Sequence, residues 1–496
     1  MLDNIWLGLS TVLTWHHMSI MVVGSFFGLW IGVIPGLGPV MAMAILIPVT
    51  FVMDPLSALL MLASIHASGT YGGSVSAIMI NVPGDAGSAA TTFDGYAMAR
   101  QGKVRVALGL SVCASVIGGV AGVLVLIAAA APLARVALTF GPPEFFALAI
   151  LGLCVVAAAS SGSAVKSLLM GCLGLAVSFV GVDSVLGVPR FTLGFVELEA
   201  KFDFVPVVIG LFAVTELMLM MVRGGTIAES GRLQGSLWDG IRMVFKYPAS
   251  LLRGVGMGTL VGIVPGIGAV TANLLAYAVE RRSARDPSRF GKGAPEGVIG
   301  PEAANNACVT AAVIPTITLG VPGSAGAAIL LVALTIHGLQ PGPNLFAGST
   351  KLVYGFFVGM IISQFLFGIM GVLLTRWFAI VTIVPSRLIA PLLLVVSLIG
   401  AYAYQQQFVD VVLAVIFGLL GFAAQRFGYP VIGLVMGLVL GEMAETSFHQ
   451  SLAMSSGSYA VFVGRPLSVG ILLLSALLLA WPLIARVFGR RTAVPQ

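Results

Sequence analysis

The stretch Gly24-Ser-Phe-Phe-Gly-Leu-Trp-Ile-Gly-Val-Ile-Pro-Gly-Leu-Gly38 has a counterpart 230 residues later, Gly254-Val-Gly-Met-Gly-Thr-Leu-Val-Gly-Ile-Val-Pro-Gly-Ile-Gly268. In both stretches glycine recurs every four residues, which places it along one side of a helix and lets a neighbouring backbone approach closely. The prolines at 35 and 265 cannot continue a regular helix, and the glycines that follow them permit unusual dihedral angles. Each stretch therefore predicts a tightly packed helix that breaks near its end.

A second pair of motifs follows the first in the same order. Asn81-Val-Pro-Gly-Asp-Ala-Gly87 matches Gly320-Val-Pro-Gly-Ser-Ala-Gly326 at an offset of 239 residues. The nine extra residues fit a charged insertion around 280–302. Two matched motifs in one order predict an internal duplication, with a first transmembrane repeat at 1–230 and a second at 231–496.

The composition indicates an integral membrane protein. Of 496 residues, 58% are hydrophobic and 9% are charged, whereas a soluble domain carries about 25% charged residues. Residues 4–53 and 303–350 contain no Asp, Glu, Lys or Arg, and one bilayer span needs about 20 apolar residues. These figures exclude a cytosolic enzyme, a nucleic-acid-binding module and a disordered chain. They predict an all-α polytopic fold with about twelve transmembrane segments, some of them discontinuous or re-entrant.

The few charges predict how the repeats are oriented. After its second motif the first repeat carries Arg100, Lys103 and Arg105, whereas the equivalent segment 337–350 is uncharged. Between its motifs the second repeat carries five bases in 281–292, whereas the first repeat has none around Asp54. Because Lys and Arg collect on the cytoplasmic side, equivalent segments are expected to face opposite sides, as in an inverted repeat. The basic linker at about 223–253 is predicted to be cytoplasmic, and the acidic segment 183–203 to face outwards.

The four broken motifs are the predicted substrate site. Irregular backbone at membrane depth survives where it lines a cavity or is buried in protein, and paired interruptions in two halves are typical of a transporter's binding site. Helix N-termini suit carboxylates, whereas unwound carbonyls suit Na⁺. The candidate substrate-binding residues are Pro35, Gly36, Gly38, Ser74, Asn81, Pro83, Gly84, Pro265, Gly266, Gly268, Asn306, Thr318, Pro322, Gly323 and Ser324. The candidate Na⁺ ligands are Asn81, Asp85 and Asn305.

Simpler interpretations of these residues stay open at this point. The Pro-Gly elements could be only kinks and packing sites, and Asp85 could only cap a helix. His66 fits a satisfied buried histidine better than a proton relay. Glu144, Lys166 and Glu216 could be buried or could lie at the membrane surface.

The four cysteines have no CxxC spacing and are expected to be small buried packing residues. The first apolar segment has no basic residue before it, so a cleaved signal peptide is not expected.

The motifs resemble those of the large membrane subunit of the tripartite tricarboxylate transporters, the TctA family, over about residues 15–485. The resemblance rests on these stretches: Gly32-Val-Ile-Pro-Gly-Leu-Gly38, Tyr71-Gly-Gly-Ser74, Asn81-Val-Pro-Gly-Asp85, Asp94-Gly-Tyr-Ala-Met-Ala-Arg-Gln-Gly102, Gly262-Ile-Val-Pro-Gly-Ile-Gly268, Pro301-Glu-Ala-Ala-Asn-Asn306 and Leu319-Gly-Val-Pro-Gly-Ser324. Ala97 stands where the family pattern has proline.

Such a resemblance implies a multi-pass permease of the bacterial inner membrane, driven by an ion gradient, usually of Na⁺. It also implies a small membrane subunit and a periplasmic solute-binding protein as partners, and citrate or another carboxylate as substrate. No cofactor, no nucleic acid and no enzyme activity are expected.

Two other classes of function are weaker alternatives. A channel also accommodates inverted repeats, although a requirement for a binding protein would argue against it. An intramembrane Ser/Lys hydrolase rests only on Ser163-Ala-Val-Lys166, which has no accompanying SDN, KTG, GxSxG or HExxH motif. Without a GxxxxGK[ST] loop the sequence offers no ATPase motif.

Overall fold

A computed structural model describes residues 2–159, 163–183, 187–199, 201–223, 235–381 and 386–488. In these ranges the protein is almost entirely helical, with one two-stranded hairpin, so an all-α membrane fold accounts for the described structure.

The helices follow one another along the chain with short connections. The helices of the first part are α1 Leu2–Val12, α2 Trp15–Val33, α3 Pro39–Leu46, α4 Pro55–Ile80, α5 Ala97–Arg100, α6 Val104–Ala137, α7 Pro142–Ala159, α8 Ala164–Ser178, α9 Phe204–Val208, α10 Thr215–Arg223, α11 Leu237–Val244, α12 Pro248–Ile263 and α13 Gly268–Ser283. Those of the second part are α14 Glu296–Ala311, α15 Val313–Leu319, α16 Ala325–Ile336, α17 Pro343–Gly348, α18 Thr350–Leu373, α19 Thr375–Val381, α20 Ser386–Gln405, α21 Phe408–Arg426, α22 Val431–Met454, α23 Val461–Gly464 and α24 Pro466–Phe488.

Shorter elements complete the described chain. The strands are β1 Gly181–Val182 and β2 Pro189–Arg190, which pair antiparallel. Two π-helical segments occur, Thr92–Tyr96 and Ile209–Val214, and the second joins α9 to α10. The 3₁₀ turns are Ile47–Val52, Ala86–Ser88, Val196–Leu198 and Pro287–Arg289.

Within the described ranges, six helical segments are long and apolar enough to cross a membrane, judged by length and composition. They are Trp15–Val33, Val104–Ala137, Phe204–Val222, Thr350–Leu373, Phe408–Arg426 and Val431–Met454. Large apolar side chains lie on the outside of the chain, among them Leu260 at 67% and Leu373 at 70% exposure. Such surfaces are stable in hydrocarbon and not in water. The protein is a multi-pass membrane protein. The count of twelve spans stays a prediction, as does the inverted orientation of the repeats.

The predicted glycine rows are interhelical contacts. Gly28 of α2 packs on the carbonyl of Ile65 in α4, where an added Cβ would lie 2.4 Å from that oxygen. Gly258 of α12 packs in the same way on Ala304 of α14, at 2.2 Å. The neighbouring row glycines, 24, 32, 254 and 262, make equivalent approaches to residues 61, 69, 300 and 308. The contacted positions form the pairs 61/300, 65/304 and 69/308, and each pair is separated by 239 residues. The two halves therefore repeat the same helix packing as well as the same sequence motifs.

One detail of that prediction is wrong. The last glycine of each row, Gly36 or Gly266, does not lie on the helix, because α2 ends at Val33 and α12 ends at Ile263. Both glycines instead have positive φ angles in the turns that follow.

The third long helix of each repeat packs on the other repeat. Gly118 of α6 contacts Ala303 of α14, and Gly122 contacts Ala307. Reciprocally, Gly355 of α18 contacts Leu56 of α4, and Gly359 contacts Leu60. The two repeats are therefore interlocked.

The described chain has two compact units, which do not coincide with the predicted repeats. The first comprises Met1–Ala137 and Val205–Ala423, and it contains all four motifs. The second comprises Leu138–Phe204 and Ala424–Gln496. In the second unit α22 packs on α7 and α8, with Gly437 against the carbonyl of Gly171. The division at residue 230 stays a prediction about sequence symmetry, and residues 224–234 of the predicted linker lie outside the described ranges.

The cysteine prediction needs a correction. All four cysteines are free, and Cys154 and Cys308 are buried as expected. Cys172, in contrast, is exposed on α8, and Cys113 is half-buried on α6. An apolar sequence context did not imply burial here, because the outer faces of membrane helices are apolar too.

Candidate functional site

The first motif of each repeat forms a turn between two helices. Gly36 and Gly266 have φ angles of 82° and 81°, in the left-handed region that favours glycine. In the first repeat the chain re-enters a helix at Pro39, with Gly38 as the N-cap of α3. In the second, Gly268 begins α13 with a φ of 77°. The predicted breaks at Pro35 and Pro265 are present in both repeats.

The second motif of each repeat begins with a left-handed residue that ends a helix. Asn81 ends α4 with a φ of 60°, and Gly320 ends α15 with a φ of 70°. Glycine and asparagine are the residues that adopt this conformation most readily. Matched positions therefore have the same backbone geometry, although their side chains differ.

Each second motif then turns back towards the helix it has left. The N–H of Gly84 donates to the carbonyl of Gly73 at 3.1 Å, and Gly84 packs on the Gly32 carbonyl so closely that a Cβ would lie 2.1 Å from its oxygen. In the second repeat Gly323 donates to the hydroxyl of Thr316 at 3.2 Å and packs on Ala312. The two loops are the half-one hairpin, residues 81–88, and the half-two hairpin, residues 320–327.

The two motifs of each repeat meet. Gly266 donates its N–H to the carbonyl of Gly323 at 3.0 Å. In the first repeat, a Cβ on Gly38 would lie 3.1 Å from Oδ1 of Asp85. The predicted residues of each repeat therefore do lie together.

A side chain from the opposite repeat reaches each hairpin. The amide of Asn305, on α14, lies against Gly87, where a Cβ would be 2.7 Å from Oδ1 of Asn305. The imidazole of His66, on α4, lies against Gly326, where a Cβ would be 2.4 Å from Nε2 of His66. His66 and Asn305 are matched by the offset of 239, as are Gly87 and Gly326. These two crossed contacts are one arrangement repeated.

Neither crossing side chain is satisfied within the described part of the chain. Asn305 is fully buried and both polar atoms of its amide lack a hydrogen-bond partner. His66 is 6% exposed as a whole; its ring makes no hydrogen bond to a described residue, and its nitrogens are not among the fully buried polar atoms that lack a partner. Unpaired buried polar groups are rare in folded proteins. Asn305 and His66 are therefore candidates for contact with a ligand, and for His66 this replaces the expectation of a satisfied buried histidine.

The two hairpins differ in what occupies their backbone N–H groups. Asp85 caps the short 3₁₀ turn Ala86–Ser88, and its carboxylate accepts from the N–H of Gly87 at 3.1 Å. Asp85 thus caps a turn, and its candidate role as a Na⁺ ligand stays a prediction. At the matched position Ser324 caps α16 by accepting from Ala327 at 3.2 Å. Among the described residues, no acceptor reaches the N–H groups of Ala325 and Gly326.

Other predicted residues lie near the hairpins in structural roles. Ser74 and Ser88 are joined through their hydroxyls at 2.9 Å. Asn306 donates to the carbonyl of Glu302 one turn earlier, and Thr318 donates to that of Ile314. Asn81, although proposed for both substrate and Na⁺, is exposed at the end of α4. Pro83 and Pro322 stiffen the hairpins before Gly84 and Gly323.

Glu302 is a polar feature of this region that sequence reasoning did not select. It is fully buried, and its carboxyl accepts from the hydroxyls of Thr91, Ser111 at 3.0 Å and Ser115 at 2.8 Å. All three donors belong to the first repeat, so this network also joins the repeats. Its position in the motif 301–306 was visible in the sequence, but its partners on α6 were not.

The segment 93–102 connects the half-one hairpin to the charged loop of the second repeat. Asp94 is buried and accepts from the hydroxyl of Tyr277 at 2.9 Å and from the N–H groups of Gly293 and Ala294 at 2.8 and 2.7 Å. This carboxylate therefore holds the loop after α13 in place.

Charges outside the hairpins have structural partners. Glu144 is buried and pairs with Arg465 at 2.6 Å in the second unit. Lys166 donates to the carbonyl of Phe427 at 2.6 Å and lies 4.8 Å from the ring centre of Tyr429. Its ammonium is thus engaged by groups other than Ser163. Glu216 follows the second π-helical segment on α10.

One group in the second unit has the donor set of a metal site. Asp183, Glu445 and His449 bring one ligand atom each within 4.8 Å of one another. Arg190, however, pairs with Asp183 at 3.0 Å and with Glu445 at 2.6 Å. The guanidinium already neutralises both carboxylates, so no metal is assigned to this group.

A multi-pass helical protein with paired, glycine-broken motifs that meet across a duplication is of the type used by transporters. Residues 18–436 match the family described as "Tripartite tricarboxylate transporter TctA family", and the chain belongs to that family.

Two relatives come from Agrobacterium vitis. One, an uncharacterized 52.8 kDa protein in the TAR-I ttuC' 3' region, is 35% identical over the whole of this chain and 98% of its own length. The other, an uncharacterized protein in the TAR-II ttuC' 3' region, is 33% identical over 48% of this chain and 98% of its own length. No solved structure matches the chain.

Proposed function

We propose that this protein is the membrane permease of a secondary transporter that imports a tricarboxylate or another carboxylate across the bacterial inner membrane. Import is coupled to an ion gradient, with Na⁺ as the coupling ion. A periplasmic solute-binding protein delivers the substrate, and a small membrane subunit completes the system.

The observation that carries this proposal is the pair of hairpins with crossed contacts. A transporter alternates between two arrangements of its repeats around one site. The hairpins present helix N-termini and turn backbone, and each is contacted by an unsatisfied side chain of the opposite repeat. Any movement of one repeat against the other changes both contacts together. Membership of the TctA family supports the carboxylate as substrate.

The half-one hairpin supports cation coupling. The carboxylate of Asp85 and the amide of Asn305 each have an oxygen 2.7 Å from the point where a Cβ on Gly87 would lie. The two oxygens therefore face the same small volume. Carboxylate, amide and backbone oxygens suit a hard cation such as Na⁺. Of the three candidate ligands, Asp85 and Asn305 fit this role, whereas Asn81 lies exposed at the end of its helix.

The test is uptake of radiolabelled citrate, tricarballylate, succinate and malate into proteoliposomes containing the full chain and the two partner subunits. We expect uptake of at least one of these acids when a Na⁺ gradient and the loaded binding protein are both present. Removing either should reduce the initial rate at least tenfold. Undiminished uptake without both would contradict the coupling, and uptake independent of any gradient would favour a channel.

The Ser/Lys hydrolase is the weakest alternative. Ser163→Ala is expected to leave transport unchanged, since the ammonium of Lys166 is held by Phe427 and Tyr429. Loss of function in this variant would support the hydrolase hypothesis.

A further inference from the structure

We propose that a carboxylate group of the substrate binds at the half-two hairpin, between the free N–H groups of Ala325 and Gly326 and the imidazole of His66. This inference rests on the proposed function, and it assigns the substrate anion to one hairpin only. His66 becomes a substrate-binding residue contributed by the first repeat.

The half-one hairpin already contains a bound carboxylate. The side chain of Asp85 accepts from the N–H of Gly87 at 3.1 Å, and the amide of Asn305 lies beside it. In this hairpin a carboxylate is therefore held by a backbone N–H, next to a polar side chain from the other repeat.

The half-two hairpin has the same parts except the carboxylate. Ala325, Gly326 and His66 occupy the positions of Ala86, Gly87 and Asn305. Ser324 replaces Asp85 and turns its hydroxyl to Ala327, so the two N–H groups before Ala327 have no described acceptor. A carboxylate from outside the chain would complete the arrangement that Asp85 completes in the first repeat.

The helix that follows strengthens this site. α16 is a 12-residue helix that begins at Ala325, and Gly326 is its second residue. The N-terminus of such a helix carries partial positive charge and attracts anions. The corresponding segment of the first repeat is only a 3₁₀ turn, Ala86–Ser88. The second repeat therefore offers the more favourable potential for an anion.

His66 is the independent observation that points to a ligand. Only 6% of its surface is exposed, and its ring lies directly on Gly326. A neutral imidazole can donate one hydrogen bond to a carboxylate. Residues 303–350, which include this hairpin, contain no formal charge. The residues named here therefore offer neutral donors to an anion.

The experiment measures binding of the same four acids to the purified full chain, by scintillation proximity in detergent at saturating Na⁺. Ser324→Asp supplies the second repeat with the carboxylate of the first and keeps a favourable helix cap. We expect it to weaken binding of whichever acid the unaltered chain binds by about 100-fold. His66→Ala should weaken binding about tenfold, whereas His66→Asn, which copies the first repeat, should weaken it less than His66→Ala.

Thr335→Val is the matched control, because Thr335 lies at the other end of α16 and donates only to the carbonyl of Leu331. Its binding should equal that of the unaltered chain. Thermal unfolding of each variant confirms that it is folded. If Ser324→Asp and His66→Ala are folded and bind as tightly as the unaltered chain, the inference is wrong while the proposed function stands. If the unaltered chain binds none of the acids and transports none, the proposed function itself fails.

Discussion

The half-one and half-two hairpins begin with the same backbone conformation and differ in their chemistry. Asn81 and Gly320 share a left-handed conformation, and Gly87 and Gly326 each receive a side chain from the opposite repeat. The carboxylate of Asp85 accepts from the N–H of Gly87 in its own hairpin. The hydroxyl of Ser324 accepts from Ala327 instead, so the N–H of Gly326 has no described acceptor. A few side chains thus give the two copies of a duplicated scaffold different properties. One copy keeps a carboxyl group of its own at the hairpin, and the other keeps free donors.

The largest expected effect comes from the packing that holds both hairpins. Gly258→Ala would place a Cβ 2.2 Å from the Ala304 carbonyl oxygen, in contact with backbone that cannot easily move. We expect a loss of about 3 kcal/mol or more of stability, measured as the fall in folded protein on heating membranes. Gly256→Ala is the control two residues away, where a Cβ meets nothing within 4 Å. Equal stability of the two variants would contradict the role of the glycine row.

The turns of the first motifs come next. Gly36→Val and Gly266→Val should abolish uptake while the protein remains in the membrane, because a β-branched residue disfavours φ near 80°. Gly36 has open space around it, so backbone conformation alone is tested there. Gly36→Asn should retain transport, since asparagine tolerates this conformation, as Asn81 does. Wild-type rates in both valine variants would refute the assignment of these turns to the site.

A buried ion pair on the second repeat gives an intermediate effect. Glu280 is 1% exposed and accepts from Ser250 and from two nitrogens of Arg253. Arg253→Met leaves that carboxylate without its cation and should cost about 2–3 kcal/mol, reduced because Arg253 is partly exposed. The double variant Arg253→Met with Glu280→Met should recover part of this loss. No recovery in thermal unfolding would indicate that the pair is not coupled.

The smallest effect is expected at the contact between Asp94 and the charged loop. Asp94→Asn keeps the side-chain shape but weakens acceptance from Gly293, Ala294 and Tyr277. We expect a loss of about 1–2 kcal/mol and faster proteolysis within residues 284–295. Tyr277→Phe, which removes a single donor, should have a smaller effect. Unchanged proteolysis in both variants would contradict the anchoring of this loop.

The sequence predicted the features that depend on local rules. The helix breaks at Pro35 and Pro265 follow from the missing donor of proline, and the glycine rows follow from four-residue spacing. Both are present in the structure. The long uncharged stretches predicted a membrane protein in the same way.

The sequence alone could not show contacts that depend on how the repeats interlock. His66 and Gly326 are far apart in the chain, as are Asn305 and Gly87, and only the crossed packing brings each pair together. Glu302 likewise finds its donors on α6 and near Thr91. The offset of 239 relates His66 to Asn305, but their side chains differ, so the match carried no visible signal.

The most direct test of the different roles of the two hairpins is ligand protection of introduced cysteines. Ala325→Cys and Ala86→Cys occupy matched positions in a chain whose four native cysteines are replaced by serine. A carboxylate that binds the unaltered chain should slow thiol labelling at position 325 at least tenfold and leave labelling at position 86 unchanged. Protection at position 86 alone, or equal protection at both, would contradict the assignment of the substrate anion to the half-two hairpin.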